Sequence, residues 1–316
     1  MRKCLALALL LTLCSFGCGK KVQVASNSQL TENDRELYLN AMQALKKNRF
    51  IQARLLLSTL LDAYENSEFT APAKYAYAES FYREAGHGNL LSAESEFQKF
   101  RTFFPDHELA DDAQMMIAMT HIRQLEKPDR DNTEARLAEL ELTTLINDGT
   151  ASTELLEEAK DKLRGVQELL AESILGPAKQ YYRGHAYPAV IDRCEEILKK
   201  YPDFTGTDRV LYLMGETYRR SNKPEQGAPY YAQIVRDYPT SDLVSDSKKH
   251  LVELKVAVPD PNPIALERAR QRTPVEGKGL LGTGLFKGGG TSISRDTKAA
   301  SVKNPVGALS IEAGQP

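Results

Sequence analysis

Apolar residues recur along this chain with helical spacing, at i, i+3, i+4 and i+7, from about residue 32 to about residue 256. The polar breaks between these stretches are short, and loops of that length join antiparallel neighbours, so the pattern predicts helices packed one against the next in chain order. Within the stretches a small residue and a proline keep a fixed offset: 12 residues separate Ala93 from Pro105, Val190 from Pro202 and Gly227 from Pro239. An aromatic residue precedes each proline, as Phe104, Tyr201 and Tyr238. The small residue lets two helices approach closely, and the proline cannot continue a helix because it lacks the backbone N–H and clashes with the preceding turn. Each such stretch reads as the second helix of a repeated hairpin.

Ala53 and Ala135 extend the small slot to five positions, with successive separations of 40, 42, 55 and 37 residues. The preceding helices carry their own small and aromatic residues: Gly215 and Tyr218 before Gly227, Ala178 and Tyr181 before Val190, Ala41 and Ala44 before Ala53. That is the tetratricopeptide pattern. The expected fold is all-α, a right-handed solenoid of five tetratricopeptide-like helical hairpins over residues 31–256. One hairpin cannot bury its apolar stripe alone, so the core should run along the stack, with residues 242–256 as the terminal cap. Glu65 and Asn147 replace the closing proline in the first and third units, where Asn147 and the Asn66-Ser67 pair are expected to end the helices through the left-handed conformation. The long separation before Val190 has a visible cause. Residues 154–182 read as one extended helix, with a kink or break expected at Gly176-Pro177.

The two ends differ from this middle. Arg2 and Lys3 precede an apolar run over residues 5–13, too short to span a bilayer, and Ser15-Phe16-Gly17-Cys18 offers a small-residue cleavage site. Residues 1–17 therefore read as a lipoprotein signal peptide, Cys18 as the lipid acceptor and residues 18–30 as a flexible tether. An ordinary secretory peptide, leaving Cys18 as a free thiol, is the alternative. Cys14 is a poorer acceptor because bulky Leu13 precedes it. Each buried CH2 of a lipid contributes about 0.8 kcal/mol, so several acyl chains hold a protein on a membrane where one does not. Gly19, in place of an aspartate, points to the outer membrane. At the other end, residues 256–316 hold 9 of the 20 glycines and 6 of the 15 prolines, so residues 257–316 are expected to form a disordered tail.

Charge and candidate chemistry narrow the function. Removing the signal takes the formal net charge from -2 to -4, because only Arg2 and Lys3 are lost, and a mildly acidic chain is no nucleic-acid binder. Cys4 and Cys14 leave with the signal and Cys18 takes lipid, so Cys194 is left without a disulfide partner and is expected to be a buried apolar residue. Residues 277–282 fit G-x-G-x-x-G but lack the flanking strand and helix of a dinucleotide site. His87, His107, His121, His185 and His250 have no metal-ligand spacing. Asp129-Arg130-Asp131 lacks the glycine and closing glutamate of a calcium loop; Asp131 is expected to cap the next helix, with Glu134 reaching back. The acidic run over residues 154–161 reads as a solvated helix face. No catalytic residue, cofactor or metal is expected; a hydrolase on a helical frame would need a His or carboxylate pair converging in a pocket, and no motif favours one. Among the aromatics near the first helices, Tyr38, Tyr75, Tyr77, Phe81 and Tyr82 should divide between core and groove.

Three segments carry a more specific likeness: residues 97–107 (FQKFRTFFPDH), residues 129–135 (DRDNTEA), and residues 181–193 (YYRGHAYPAVIDR) running into the LKKYP of residues 198–202. With five units and a lipobox, these resemble the BamD (YfiO/ComL) family, tetratricopeptide outer-membrane lipoproteins of the β-barrel assembly machine. The resemblance implies a non-enzymatic outer membrane protein assembly factor on the periplasmic face. Its implied partners are the barrel-forming (BamA-like) insertase, other assembly-machine lipoproteins and unfolded outer-membrane proteins. It also implies that Arg193 matches the arginine that contacts the insertase's POTRA domain, and that substrate lies in the groove of units one to three, where Tyr38, Tyr75 and Tyr82 are the candidates. Another tetratricopeptide envelope scaffold, a Tol-Pal coordinator or a peptidoglycan-synthase regulator, is the alternative.

Overall fold

The structure is a computed structural model that describes residues 34–271. The signal segment, Cys18, the tether and residues 272–316, with the glycine motif of residues 277–282, lie outside the described residues. Among the described residues there are twelve helices and no strand. They form five hairpins: α1 (Asp34–Lys46) with α2 (Phe50–Ala63), α3 (Thr70–Glu84) with α4 (His87–Phe103), α5 (Ala110–Ile122) with α6 (Thr133–Asp148), α7 (Thr153–Arg183) with α8 (Tyr187–Lys200), and α9 (Thr207–Arg220) with α10 (Pro224–Asp237). Then come α11 (Val244–Glu253) and α12 (Pro263–Gln271). From α1 to α11 each helix packs on its neighbours in sequence, with minor contacts between α1 and α3, α5 and α7, and α7 and α9.

The small slots sit where the hairpins close. Ala53, Ala93, Ala135, Val190 and Gly227 are all buried. The fifth hairpin is the tightest: a Cβ on Gly227 would stand 2.8 Å from the carbonyl oxygen of Gly215, and one on Gly215 would stand 2.7 Å from the Tyr231 ring. The buried clusters overlap along the stack. Ala73 and Ala76 of α3 join the first hairpin's core, while Tyr75 and Ala78 of the same helix join a second core with Phe97, Phe100 and Ile117. Met115 and Ala118 of α5 then join a third core that continues to Val210 and Met214 of α9. No hairpin closes its core alone.

Two turn types repeat. Within a hairpin, Asn48, His185 and Asn222 adopt the left-handed conformation. The N–H groups of Arg49, Ala186 and Lys223 then donate to Ala44, Tyr181 and Tyr218 at 2.8, 3.0 and 2.9 Å, which satisfies carbonyls left open at the helix end. Between hairpins, Tyr64, Phe104, Tyr201 and Tyr238 share one extended conformation (φ -134, -131, -127 and -127°). Their carbonyls accept from the residue three further on.

The structure corrects several expectations. The first unit leaves α2 through Tyr64, in the geometry of the proline-bearing units, and not through a left-handed residue at 66–67. Asn147 lies inside α6, and Gly149 (φ 69°) takes the left-handed cap instead, since glycine has no Cβ to clash there. Asp131 is not the cap of α6: its carboxylate accepts from the Thr133 N–H at 2.9 Å and hydroxyl at 2.7 Å, and Glu134 turns to His121 at 2.8 Å. The 31-residue helix α7 runs through Gly176-Pro177 without a break. Pro177 is on the exposed side, between buried Leu175 and Ala178, so water can take the carbonyl that the missing N–H leaves open. Finally, order extends past residue 256. Residues 257–271, expected in the disordered tail, include α12, and the Asn262 N–H donates to the Arg236 carbonyl at 2.8 Å.

The end of the stack follows from the turns. Val256 N–H donates to Leu251 O at 2.9 Å with Lys255 left-handed, so α11 ends as a first helix ends. Pro259, Pro261 and Pro263 follow where a second helix would start. Leu251 is buried against α10, and α11 caps the stack.

Candidate functional site

The three groove tyrosines separate. Tyr38 on α1 is 3% exposed and stacks on Phe69 with ring centroids 5.1 Å apart. Tyr75 on α3 is 4% exposed, edge-on to Phe97 at 5.3 Å and Phe100 at 5.7 Å. Both are core residues and cannot line a groove, because Tyr38 is covered by Phe69 at the start of the next hairpin and Tyr75 by Phe97 and Phe100 on the second helix of its own hairpin. Tyr82 alone is half-buried, with the Arg123 guanidinium 4.0 Å above its ring and hydrogen-bonded to its carbonyl.

Carboxylates that no motif singled out gather beside these rings. Burial, then Glu79, pushes the Tyr38 hydroxyl up to about 12. Burial, then Asp112 and Glu79, raises Tyr75 well above its ordinary value. Glu79 is itself raised by burial, which Arg83 partly offsets. Asp112 is raised by burial and by Asp111, Glu108 and Glu158. The first helices α3, α5 and α7 thus bring Glu79, Asp112 and Glu158 into one negative field, which Arg83 offsets in part at Glu79 and Arg123 in part at Tyr82.

Arg193 sits on α8, the helix opened by Pro188 at its second position. Its side chain is 47% exposed and donates to Glu196 Oε2 at 2.9 Å. Lys200 holds the other oxygen of Glu196 at 2.8 Å, and these bonds, Lys200's before Arg193's, keep the Glu196 carboxyl below its ordinary range. A guanidinium has five N–H donors, so Arg193 keeps capacity for a second carboxylate. Next to it Cys194 is fully buried, and burial, then Glu195, pushes its thiol up to about 12, the state of an unreactive packing residue.

A further cluster lies behind α8. Glu216 on α9 is buried and accepts from Tyr231 Oη at 2.7 Å, Tyr182 Oη at 3.3 Å, and Arg219 at 2.9 and 2.6 Å; His250 Nε2 lies 3.2 Å away. Burial alone would raise this carboxyl, but Arg219 and Tyr231 hold it lowered. A sequence signal for this cluster existed. Tyr182, Glu216 and His250 are each 34 residues apart, one repeat period, so they occupy equivalent places in successive first helices.

Among the described residues no group of three His, Cys, Asp or Glu could hold a metal, and no helix is long and apolar enough to cross a membrane. The sequence model of YfiO, an outer membrane lipoprotein family, matches residues 31–229. The chain belongs to that family. Among its relatives, the outer membrane protein assembly factor BamD of Vibrio cholerae serotype O1 is 24% identical over 226 residues, covering 68% of this chain and 88% of that one. BamD of Neisseria meningitidis serogroup A is 22% identical over 260 residues, covering 78% and 94%. Among solved structures, a thermophilic tetratricopeptide protein of Thermus thermophilus aligns over 70% of this chain and all of its own at 13% identity and a TM-score of 0.29.

Proposed function

We propose that this family member is a non-enzymatic adaptor of outer-membrane protein assembly, held by lipid on Cys18 at the periplasmic face of the outer membrane. It binds a barrel-forming insertase through α8 and receives unfolded outer-membrane proteins along the first three hairpins. The observation that carries this reading is the extent of the family match, which spans α1 through α9 and enters α10, and so lies on the hairpin stack itself and not on the signal. Exposed Arg193, with most of its donors open, supports α8 as the insertase contact. For substrate, half-buried Tyr82 and the field of Glu79, Asp112 and Glu158 replace the original trio, with Tyr38 and Tyr75 acting from behind as packing.

The test is a pull-down of the tagged lipoprotein from detergent-solubilised outer membranes. Recovery of a barrel-forming insertase with the wild type, and its loss with Arg193→Glu at unchanged helical circular dichroism, is the expected result. An intact wild-type lipoprotein that brings down no insertase would refute the adaptor role.

A further inference from the structure

The tip of the first hairpin presents a surface that the fold does not require. Ile51 is 75% exposed and Leu55 67% exposed, one turn apart on α2. The turn that leads into them carries Lys46, Lys47 and Arg49, all exposed, and none of the three forms an ion pair among the described residues. The left-handed turn residues Asn48, His185 and Asn222 align this hairpin with the fourth and fifth. Where the first hairpin has Ile51, the fourth has Pro188 and the fifth Glu225; where it has Leu55, they have Asp192 and Pro229. The repeat therefore accepts proline or acid at both places, and two aliphatic side chains in water are an addition to it. The turn is also held rigid. Arg83 of α3 donates to the Leu45 carbonyl at 3.0 Å and to Asn48 Oδ1 at 3.2 Å, and its guanidinium lies 5.8 Å from the Phe50 ring centroid.

We infer that this tip docks on an anionic phospholipid surface, with Lys46, Lys47 and Arg49 at the headgroups and Ile51 and Leu55 at the acyl boundary. Cations beside exposed aliphatics suit the two layers of a membrane interface: each basic residue near an anionic surface contributes about 1 kcal/mol, and aliphatic burial adds to it. The chain's reach agrees. Sixteen positions separate Cys18 from Asp34, an extended reach of about 50 Å, whereas α1 carries the tip only about 20 Å from Asp34. The surface supplements the lipid on Cys18 and rests on that reading only for how the tip is brought to the membrane. It would orient the first hairpin on the bilayer while α8, in the fourth hairpin, meets its partner.

The test uses the mature chain from residue 18 with Cys18→Ser, which carries no lipid. It is sedimented with phosphatidylethanolamine vesicles with and without phosphatidylglycerol. Binding is expected to the anionic vesicles, to weaken with added salt, and to fall at least tenfold in Ile51→Glu/Leu55→Glu and in Lys46→Glu/Lys47→Glu/Arg49→Glu. All five side chains are exposed, so unchanged circular dichroism separates lost docking from lost folding. Equal binding by wild type and both variants would overturn the proposal. So would self-association of the unlipidated chain, without vesicle binding, that the Ile51/Leu55 variant abolishes, since the occupant would then be a second copy. Insertase recovery by the lipidated Ile51/Leu55 variant is expected to be unchanged, which keeps this result separate from the α8 test.

Discussion

The first three hairpins and the last two are built on one repeat but held by different chemistry. In the first two the interior is aromatic, with Tyr38 on Phe69 and Tyr75 against Phe97 and Phe100, and from there into the third Glu79 and Asp112 are raised by burial, which Arg83 offsets only in part at Glu79. In the last two a lowered carboxylate, Glu216, ties α7, α9, α10 and α11 through Tyr182, Arg219, Tyr231 and His250. The repeat therefore specifies where helices meet and leaves open what bonds them. In the first half ion pairs such as Arg54–Glu84 and Lys74–Glu96 join helices two at a time, whereas in the second a single buried carboxylate joins four.

The largest expected effect tests the core placement of the tyrosines. Tyr75→Ala should destabilise the chain by about 3–5 kcal/mol, as large-to-small core substitutions do. Tyr82→Ala should cost clearly less in denaturant unfolding; equal costs would return Tyr75 to the surface. Glu216→Ala should cost about 3 kcal/mol by leaving Arg219 and two tyrosine hydroxyls without their acceptor, with hydrogen exchange rising in α9 to α11 before α1 to α4. Gly227→Ala should cost about 1–3 kcal/mol, because its Cβ would meet the Gly215 backbone, which cannot swing aside as a side chain would.

Acid should act with opposite sign on the Glu79–Asp112 pair and on Glu216. Glu79 and Asp112 have folded values above their unfolded ones, so their ionisation costs stability at neutral pH and that cost is relieved as pH falls through the raised values. Glu216 is lowered, so its stabilisation is complete above the ordinary value of 4.5 and lost as pH falls below it through the folded value. Exchange protection of α3 and α5, corrected for intrinsic rates, should rise as pH falls from neutrality through the raised values of Glu79 and Asp112, and α9 to α11 should loosen as pH falls below the ordinary 4.5 of Glu216. Loosening of both halves together would mean that the stack unfolds as one unit. The smallest effect on stability belongs to Arg193→Glu, within about 0.5 kcal/mol for an exposed residue, even as insertase recovery is lost.

Much of this was legible in residue spacing. The slots at Ala53, Ala93, Ala135, Val190 and Gly227 are local sterics, since a helix pair closes only where a side chain is small, and the aromatic–proline exits end helices by covalent constraint. Hence the five hairpins and their order, and the exposure of Arg193, could be read before any coordinates. Elsewhere local signals competed. At Pro177 the apolar stripe of α7 outweighed a helix breaker whose lost bond faces water, and at Asn147 a glycine two residues later took the cap at lower cost. The apolar period extended to Asp34 marks Tyr38 as amphipathic but does not say which neighbour covers it.

By itself the sequence determined the hairpin repeat, the family and the helix ends marked by an aromatic–proline pair, because these depend on side-chain size, backbone restriction and periodicity within some tens of residues. Only the tertiary structure decided that Tyr38 and Tyr75 are interior and Tyr82 is not, and that Glu79, Asp112 and Glu158 share one field. It also decided that Ile51 and Leu55 stay uncovered. Burial and electrostatic fields are sums over neighbours from different helices, and those neighbours are set by how the hairpins stack.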